Sequence, residues 1–458
     1  MDPYPIFVLC VGIATVVGMI LLLKINAFIA LISAAFVVSL LAPGPVETKI
    51  SRVAEAFGAS AGGIGIVIAL AAVIGKCLMD SGAADRIVRS FVKLLGEERA
   101  PLALMSSGYV LSVPVFFDTV FYLLVPLARS LWQNKRKNYV LYTTAIVAGG
   151  AVTHSMVPPT PGPLAMANNL GIDLGVMIVA GASIGGCMSA VGLAVCWLLN
   201  RWYDIPMRPY SGAEEIKQLE ESSLPPLSVA LLPVVLPVIL IASNTIARAI
   251  AGKEPGPNWE SVLGVTGILG NPNFALLVST AISLWMLAKY RGENLWQLSQ
   301  GVETALMSGG VVILITAAGG AFGKMLASAG IESTIKQSLG EAATVTGLSV
   351  LLVSFGVAAL MKFAQGSGTV SMVTTSGMFA AMGFTSESLG FHMVYLACAI
   401  GSGSLVGDWM NNSGFWVFSK MSVLTTEETL RTWSVLTACL GFVGLLVTMV
   451  ASQVLPFV

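Results

Sequence analysis

Charge is what this sequence has least of. Only 10% of its 458 residues are charged, whereas soluble domains carry about 25%. Because the 24 basic and 24 acidic side chains cancel, no excess of positive charge indicates a nucleic-acid partner. Hydrophobic residues make up 55% of the chain, so we expect an integral membrane protein surrounded by a lipid bilayer.

Histidine and cysteine are scarce as well, with two histidines and six cysteines. The cysteines lie in apolar stretches and lack the spacing of metal ligands, so we interpret them as reduced, small hydrophobic residues. No metal and no cofactor is expected. The first residues, MDPYPIFVLCVGIATVVGMILLLK, have an acidic flank and no clear small-residue cleavage site. This pattern predicts a retained first helix rather than a signal peptide.

Long apolar stretches recur along the whole chain, and a spanning helix needs about 20 such residues. They predict ten crossings, near 6–23, 25–43, 64–80, 139–172, 174–200, 227–250, 273–289, 303–323, 391–418 and 430–455. Two further stretches, about 101–132 and about 345–383, are interrupted by SVPVFFDTV and KFAQGSGTV. Such interruptions favour re-entrant hairpins, which enter and leave the membrane on one side. In this layout most lysines and arginines lie opposite the termini, so both termini are predicted outside.

An internal repeat supports this layout. Residues 75–91, GKCLMDSGAADRIVRSF, align without gaps on residues 323–339, GKMLASAGIESTIKQSL. Since five crossings per half is an odd number, the two halves must be inverted relative to each other. The predicted fold class is an all-α polytopic membrane protein of two inverted repeats, each with five transmembrane helices and one re-entrant hairpin.

The repeat also gives the predicted domain boundaries. The N-terminal repeat spans 1–202, with its hairpin at about 101–132 and a broken helix at about 139–172. The C-terminal repeat spans 227–458, with its hairpin at about 345–383 and a broken helix at about 391–418. The hydrophilic residues 203–226 are predicted to form a cytoplasmic linker, and 83–99 and 331–341 to form amphipathic helices at the two interfaces.

The first broken helix is interrupted by THSMVPPTPGP, residues 153–163, which holds four prolines and one of the two histidines. Proline lacks an N–H and clashes with the preceding turn, so the helix cannot continue through this stretch. Its partner in the second half is residues 401–412. Paired broken helices within inverted repeats are typical of secondary transporters, and the exposed N–H groups at such interruptions suit an anion.

Four stretches, VPVFFDTVFYLLVPLAR, GGAVTHSMVPPTPGPLA, KFAQGSGTVSM and AIGSGSLVGDWMNNSGFW, resemble the gluconate permease family, the gluconate:proton symporters of the ion transporter superfamily. The resemblance covers essentially the whole chain. It implies proton-coupled uptake of gluconate or a related small sugar acid or hydroxy carboxylate across the bacterial inner membrane, by an elevator-type protein that forms a homodimer. Two positions depart from the family pattern: Thr160 stands where a second histidine is usual, and Lys362 where arginine is often found.

Three ionisable residues at the interruptions, Asp118, His154 and Asp408, are the candidate proton carriers, because ionisable groups inside membrane spans are costly and usually functional. A helix cap is the structural alternative for Asp118, and a packing role is the alternative for His154. The candidate substrate ligands, which offer cationic, amide or hydroxyl groups, are Thr119, His154, Ser155, Thr160, Lys362, Gln365, Ser367, Thr369, Ser402, Ser404, Asn411 and Asn412.

Structural roles are open for several of these polar residues. Small polar side chains also join membrane helices to one another. For Lys362 the alternative is that a lysine at a hairpin end extends its ammonium group toward the membrane interface. His392 is interpreted as interfacial. Lys76 and Lys324, which occupy matching repeat positions near helix ends, are interpreted as structural.

Other functions stay open at this stage. Sodium-coupled carboxylate symporters of the same superfamily carry paired Ser-Asn-Thr tips, whereas the tips here read FFDT and QGSGT, which favours protons. An antiporter of the same architecture is a further alternative. A membrane-embedded hydrolase that uses Ser155 and His154 is the remote one, since the sequence has no Gly-x-Ser-x-Gly turn leading into a helix and no metal motif.

Overall fold

The structure, a computed structural model, describes residues 4–209, 221–251, 257–330, 346–410 and 412–457. Within these residues it consists of helices and their connections and contains no strand, as the composition and the apolar stretches predict. The predicted interfacial helix at 331–341 lies outside the described residues.

The first half of the chain forms helices α1 to α9. A short 3₁₀ turn, Glu97–Arg99, joins α4 to α5. The helices are α1 (Tyr4–Leu21), α2 (Ala27–Leu41), α3 (Thr48–Asp80), α4 (Ala83–Leu95), α5 (Ala100–Leu111), α6 (Phe117–Lys135), α7 (Tyr139–Met156), α8 (Pro161–Asn169) and α9 (Leu174–Trp202).

The second half follows the linker with helices that we number α10 to α20 within the described residues. A π-helical turn, Leu430–Ser434, joins the last two. The helices are α10 (Leu227–Ala251), α11 (Pro257–Leu269), α12 (Pro272–Arg291), α13 (Leu295–Ser328), α14 (Gly347–Gln365), α15 (Gly368–Ala381), α16 (Ser386–Leu389), α17 (Val394–Gly403), α18 (Ser413–Ser422), α19 (Thr426–Thr429) and α20 (Val435–Val454).

Among the described residues, 7 helical segments are long and apolar enough to cross a membrane: α3, α7 with α8, α9, α10, α12, α13, and α19 with α20. Each coincides with a predicted crossing. Helix α3 begins at Thr48 instead of near residue 64, because its first turns carry Lys49, Arg52 and Glu55 and therefore do not register as apolar sequence. The other predicted crossings correspond to the shorter apolar helices α1, α2, and α17 followed by α18.

Helix α11 was not among the predicted elements. It is 13 residues long, which is too short to be recognised by the roughly 20-residue length of a spanning helix. It packs against α10, the helix before it in the chain. Its position between two longer apolar helices becomes visible only in the folded chain.

The broken helix of the first half lies at the centre of the protein. In an apolar stretch of 18 residues within α7 and α8, 94% of the residues are buried, whereas the share in the corresponding stretches of the other six long segments is 28% to 44%. Helix α7 contacts α5, α9 and α20. Its apolar side chains therefore face other helices rather than lipid, and its interruption at the prolines occurs inside the protein.

Two long helices form a second group. Helices α3 and α13 pack along each other, α2 packs on α13, and α12 packs on α3. Helix α13 also contacts α15, which follows the second interrupted stretch. This group therefore borders the centrally placed interrupted helices along one side.

The described ends of the predicted linker are held by hydrogen bonds to both halves. Arg208 donates to the two carboxylate oxygens of Glu428 over 2.7 and 2.6 Å, and its carbonyl accepts a 2.7 Å hydrogen bond from Arg129. Arg86 donates to the carbonyl of Pro225 over 2.8 Å. Because paired arginine–carboxylate hydrogen bonds are directional and strong, the Arg208–Glu428 pair fastens the linker to α19.

Helices α5 and α7 are in direct backbone contact. A Cβ atom added at Gly149 would lie 2.8 Å from the Tyr109 nitrogen, and one added at Gly108 would lie 2.8 Å from the Ile146 oxygen. Backbone atoms on the facing helix cannot rotate away as a flexible side chain can. Glycine at these positions is therefore required for the close approach of the two helices.

We expect Gly149→Val to destabilise the protein by about 1–3 kcal/mol, since added atoms in a packed interface force the backbones apart. The matched control is Gly186→Val on α9, where an added Cβ meets nothing within 4 Å. The measurement is the thermal unfolding midpoint of each purified variant in detergent. Equal midpoints for the two variants would contradict the close contact between α5 and α7.

Candidate functional site

A polar cavity of about 360 Å³ lies among the interrupted helices, and this volume is within the range of small-ligand sites. All four sequence interruptions contribute to its wall. The contributing segments are the start of α6 (Phe116, Phe117, Asp118), the end of α7 (Ala151, His154, Ser155), the α14–α15 junction (Lys362 and 366–370), and the α17–α18 connection with the start of α18 (Ser404, Leu405, Asp408, Asn412, Ser413, Gly414).

Tight turns place the two hairpin-like junctions at the cavity. Between α14 and α15, Gly366 has a φ of 80°, a left-handed conformation that favours glycine. The next residue, Ser367, caps α15 by accepting a 3.3 Å hydrogen bond from the Val370 nitrogen. Between α5 and α6, Phe116 is extended before the first residue of α6, so that Asp118 stands in the first turn of that helix.

The two broken helices are interrupted by different devices. Helix α7 ends at Met156 and α8 begins at Pro161, whose missing N–H is not needed at the first helical position. In the second half, Gly407 has a φ of 81° within the connection between α17 and α18. Asn412 then caps α18 by accepting a hydrogen bond from the Gly414 nitrogen over 3.3 Å.

Three helices begin at this cavity: α6, α15 and α18. The N-terminus of a helix carries unsatisfied N–H groups and a partial positive charge. Their convergence makes the cavity favourable for a small anion without requiring a full positive charge for each negative one.

A buried ion pair forms one side of the cavity. The Lys362 Nζ lies 3.1 Å from an Asp408 carboxylate oxygen, and the two side chains are 3% and 6% exposed. Lys362 also donates to the Gly366 carbonyl over 2.7 Å. The Asn412 amide donates to both oxygens of Asp408, over 2.7 and 2.8 Å. The Asp408 carboxylate is therefore both paired with a cation and hydrogen-bonded, as a buried carboxylate requires.

Asp118 has a different environment. Its carboxylate accepts a 3.0 Å hydrogen bond from the Ser413 hydroxyl, and no described basic side chain lies within ion-pair distance of it. His154 lines the same cavity, with its ring centroid 6.2 Å from that of Phe116. Its Nδ1 atom is buried and has no hydrogen-bond partner among the described residues.

The structure brings most of the predicted site residues together at this cavity. Those in its wall are Asp118, His154, Ser155, Lys362, Ser367, Thr369, Ser404, Asp408 and Asn412. Three predicted ligands do not line it: Thr119, Thr160 and Ser402. Thr160 donates to the Val157 carbonyl, and Ser402 donates to the Cys398 carbonyl over 2.7 Å. Asn411 and the side chain of Gln365 lie outside the described part of the chain.

Several wall residues were not predicted. Ser413 follows the motif residues that were singled out, so its neighbourhood was visible in the sequence. Trp433 comes from the π-helical turn before α20, and Val312 and Ile315 come from α13. Nothing in their local sequence distinguishes these apolar residues from the other residues of spanning helices, and only tertiary packing places them at the cavity.

The ionisable residues leave the cavity with a net negative charge. Its wall contains two carboxylates, Asp118 and Asp408, and one ammonium group, Lys362. With His154 neutral, the sum is one negative charge. An accompanying cation or proton would therefore lower the cost of bringing a further negative charge into this poorly solvated site.

Two solved structures of bacterial transporters share the fold of this chain. The YdaH transporter of Alcanivorax borkumensis matches with a TM-score of 0.63 and 14% sequence identity, over 94% of this chain and 98% of that chain. MtrF of Neisseria gonorrhoeae, described within a class of antimetabolite efflux pumps, matches with a TM-score of 0.61 and 14% identity, over 94% of both chains. At this identity the likeness concerns the fold alone.

Sequence relatives extend over the full length of the chain. A protein of Haemophilus influenzae described as a permease is 32% identical, over 96% of this chain and 91% of the relative. The gluconate permease of Pseudomonas aeruginosa is 30% identical, over 98% of both chains. The low-affinity gluconate transporter of Escherichia coli K12 is 29% identical, over 97% of this chain and 98% of the relative.

The family model of GntP family permeases matches residues 4–454. Together with the long apolar helices, this match identifies a multi-pass membrane protein. The family indicated by the four sequence motifs is confirmed, and the chain belongs to the GntP family of permeases.

Proposed function

We propose that the protein is a secondary active transporter that takes up gluconate, or a related small hydroxy carboxylate, together with protons across the bacterial inner membrane. The relatives named as gluconate permeases and transporters support the substrate class. The observation that carries the proposal is the cavity of Asp118, Asp408 and Lys362, where three helix N-termini meet one ammonium group and two carboxylates.

The architecture we propose is two inverted repeats, each with one re-entrant hairpin. Reciprocal packing supports it: α2 of the first half packs on α13 of the second, and α12 of the second packs on α3 of the first. The two interrupted stretches behave alike, since α5 packs on α7 and α14 packs on α17. Both termini outside and assembly as a homodimer remain predictions.

In the proposed complex the substrate carboxylate lies against the N-termini of α15 and α18. The capping residues Ser367 and Asn412 stand at these two helix starts. The hydroxyl groups of Ser155, Thr369 and Ser404 also face the cavity and suit the hydroxyl groups of a polyol acid. Lys362, held by Asp408, contributes positive potential to the same region.

We assign the transported proton to Asp118. Asp408 is paired with Lys362 and hydrogen-bonded to Asn412, so its charge is already compensated within the protein. In the described part of the chain, Asp118 has the Ser413 hydroxyl as its one side-chain donor. Protonation of Asp118 brings the ionisable wall residues to a net charge of zero, and an anionic substrate then enters without adding to an existing negative charge.

The first test is uptake of labelled gluconate into proteoliposomes. We expect accumulation when the lumen is alkaline relative to the outside, unchanged uptake when sodium is replaced by choline, and loss of accumulation after a protonophore is added. Uptake that requires sodium and survives the protonophore would identify a sodium-coupled carboxylate symporter instead. Accumulation that requires a counter-anion inside the vesicle would identify an antiporter.

The second test concerns Asp118. We expect Asp118→Asn to abolish pH-driven accumulation while exchange of labelled for unlabelled gluconate persists, because the amide resembles the protonated acid and cannot release a proton. The matched control is Asp204→Asn in the linker, where the carboxylate is exposed. The control should keep both activities. If Asp118→Asn accumulates gluconate in response to a pH gradient as well as the parent does, Asp118 is not part of the coupling step.

The third test concerns the buried ion pair. Lys362→Gln leaves Asp408 buried without its cation, and removing one partner of a buried pair costs about 3–5 kcal/mol. We expect a lower thermal midpoint in this variant and recovery of stability in the double variant Lys362→Gln with Asp408→Asn. Uptake should remain lost in the double variant, since the positive potential for the anion is absent. Recovery of uptake together with stability would limit the pair to a structural role.

A further inference from the structure

A second polar cavity, of about 390 Å³, lies away from the first. Four helices form its wall: α3, α8, α13 and α15. The lining residues are mostly glycine and alanine, and the polar ones are Ser60, Asn168, Asn169 and Lys324. No acidic residue is part of this wall, so the cavity has a net positive charge, whereas the wall of the first cavity has a net negative one.

Both cavities lie along the same pair of helices. Helix α13 contributes Val312 and Ile315 to the first cavity and residues 320–327 to the second, while α15 contributes its first residues to the first cavity and residues 377–381 to the second. At about 1.5 Å per residue, the seven residues from Val370 to Gly377 correspond to roughly 10 Å along α15. Along α15, the second cavity therefore lies about 10 Å beyond the first.

A glycine contact joins α13 to α15 in the wall of the second cavity. Gly323 of α13 faces Gly377 of α15, since an added Cβ on Gly323 would lie 2.7 Å from the Gly377 Cα. One turn earlier on α13, Gly319 lies against the side chain of Val373. Close packing of small residues therefore joins α13 to α15 on the side of the second cavity that is nearer to the first.

Lys324 differs in its surroundings from Lys76, its counterpart in the internal repeat. Lys76 and Lys324 occupy matching positions, but Lys76 forms a 2.7 Å ion pair with Asp80. The residue that matches Asp80 is Ser328, whose hydroxyl donates to the Met325 carbonyl instead. Lys324 is exposed in the cavity and has no acidic partner among the described residues. Its charge is therefore available to a mobile anion.

We propose that this second cavity is an anion-recruiting vestibule on the transport path, in which Lys324 and the amide of Asn168 bind a small carboxylate before it reaches the cavity of Asp118 and Lys362. This inference rests on the proposed function in one respect, that the recruited anion is the transported one. It replaces the structural interpretation of Lys324 given by the sequence alone.

The position of Asn169 supports this role. Its amide donates to the Ser376 hydroxyl over 3.0 Å, which fixes the end of α8 to α15. Asn168 stands beside it, exposed at the last turn of the same helix. The Asn169 amide also donates to the Val373 carbonyl over 3.4 Å, so the donors left for a carboxylate are the Lys324 ammonium group and the Asn168 amide. The surrounding small side chains leave room for the carboxylate.

The transport test compares lysine variants in proteoliposomes of phosphatidylcholine, which carries no net charge. We expect Lys324→Gln to raise the KM for gluconate about fivefold with Vmax unchanged, and Lys324→Glu to raise it further, since a single charge acts on binding and not on the later steps. Lys324→Arg should resemble the parent. The matched control is Lys76→Gln, which removes the repeat counterpart outside the cavity and should leave KM unchanged.

A labelling test measures the same cavity without transport. In Asn168→Cys, a negatively charged methanethiosulfonate should react faster than a positively charged one, after subtraction of the rate of the native cysteines. Adding Lys324→Gln should lower the ratio of the two rates about fivefold, and adding Lys76→Gln should leave it unchanged. Saturating gluconate should slow both reactions at Asn168→Cys when Lys324 is present.

The outcomes separate the vestibule from the proposed function. If the protein takes up gluconate but Lys324→Gln changes neither the KM nor the labelling ratio, the vestibule is overturned and the proposed transport function stands. A labelling ratio that depends on Lys324 in a protein that carries no hydroxy carboxylate would refute the proposed function alone. If Lys324→Gln does not fold, the salt dependence of labelling at Asn168→Cys replaces it as the test. High salt should slow the reaction of the negatively charged reagent and not that of the positively charged one. Equal effects of salt on the two reagents would overturn the vestibule.

Discussion

Backbone that leaves a helix inside a bilayer must find its hydrogen-bond partners within the protein. In this chain four such segments meet, and three of them meet the requirement by local means: Ser367 caps α15, Asn412 caps α18, and Pro161 begins α8 where no N–H is needed. Segments that share this requirement are best placed together, away from lipid. The polar cavity is the space that remains where they converge.

Charge gives that cavity its chemical character. Lys362 and Asp408 stabilise each other in a position from which water is largely excluded, and Asn412 occupies both oxygens of the same carboxylate. Among the described residues Asp118 accepts a hydrogen bond from Ser413 and forms no ion pair.

Much of the fold could be predicted because hydrocarbon imposes a strict length on apolar helices. All 7 long segments coincide with predicted crossings, and the prolines of residues 153–163 identify the interruption between α7 and α8. Helix α11 was missed because it is too short to give that signal, and α3 was predicted too short because its first turns are polar. Local composition could also not indicate that α7 with α8 is the most buried of the long segments.

The sequence by itself determined that the chain is a membrane protein of the GntP permease family, and it located the interruptions and most of their polar residues, because breaks in a helix and charges in apolar surroundings are visible locally. Only the tertiary structure decided which polar residues share a cavity. It separated Ser404, which lines the cavity, from Ser402, which does not, and it distinguished Lys76, which is paired with Asp80, from Lys324. The reason is that a side chain's partners lie on other helices, at sequence distances over which local pattern carries no information.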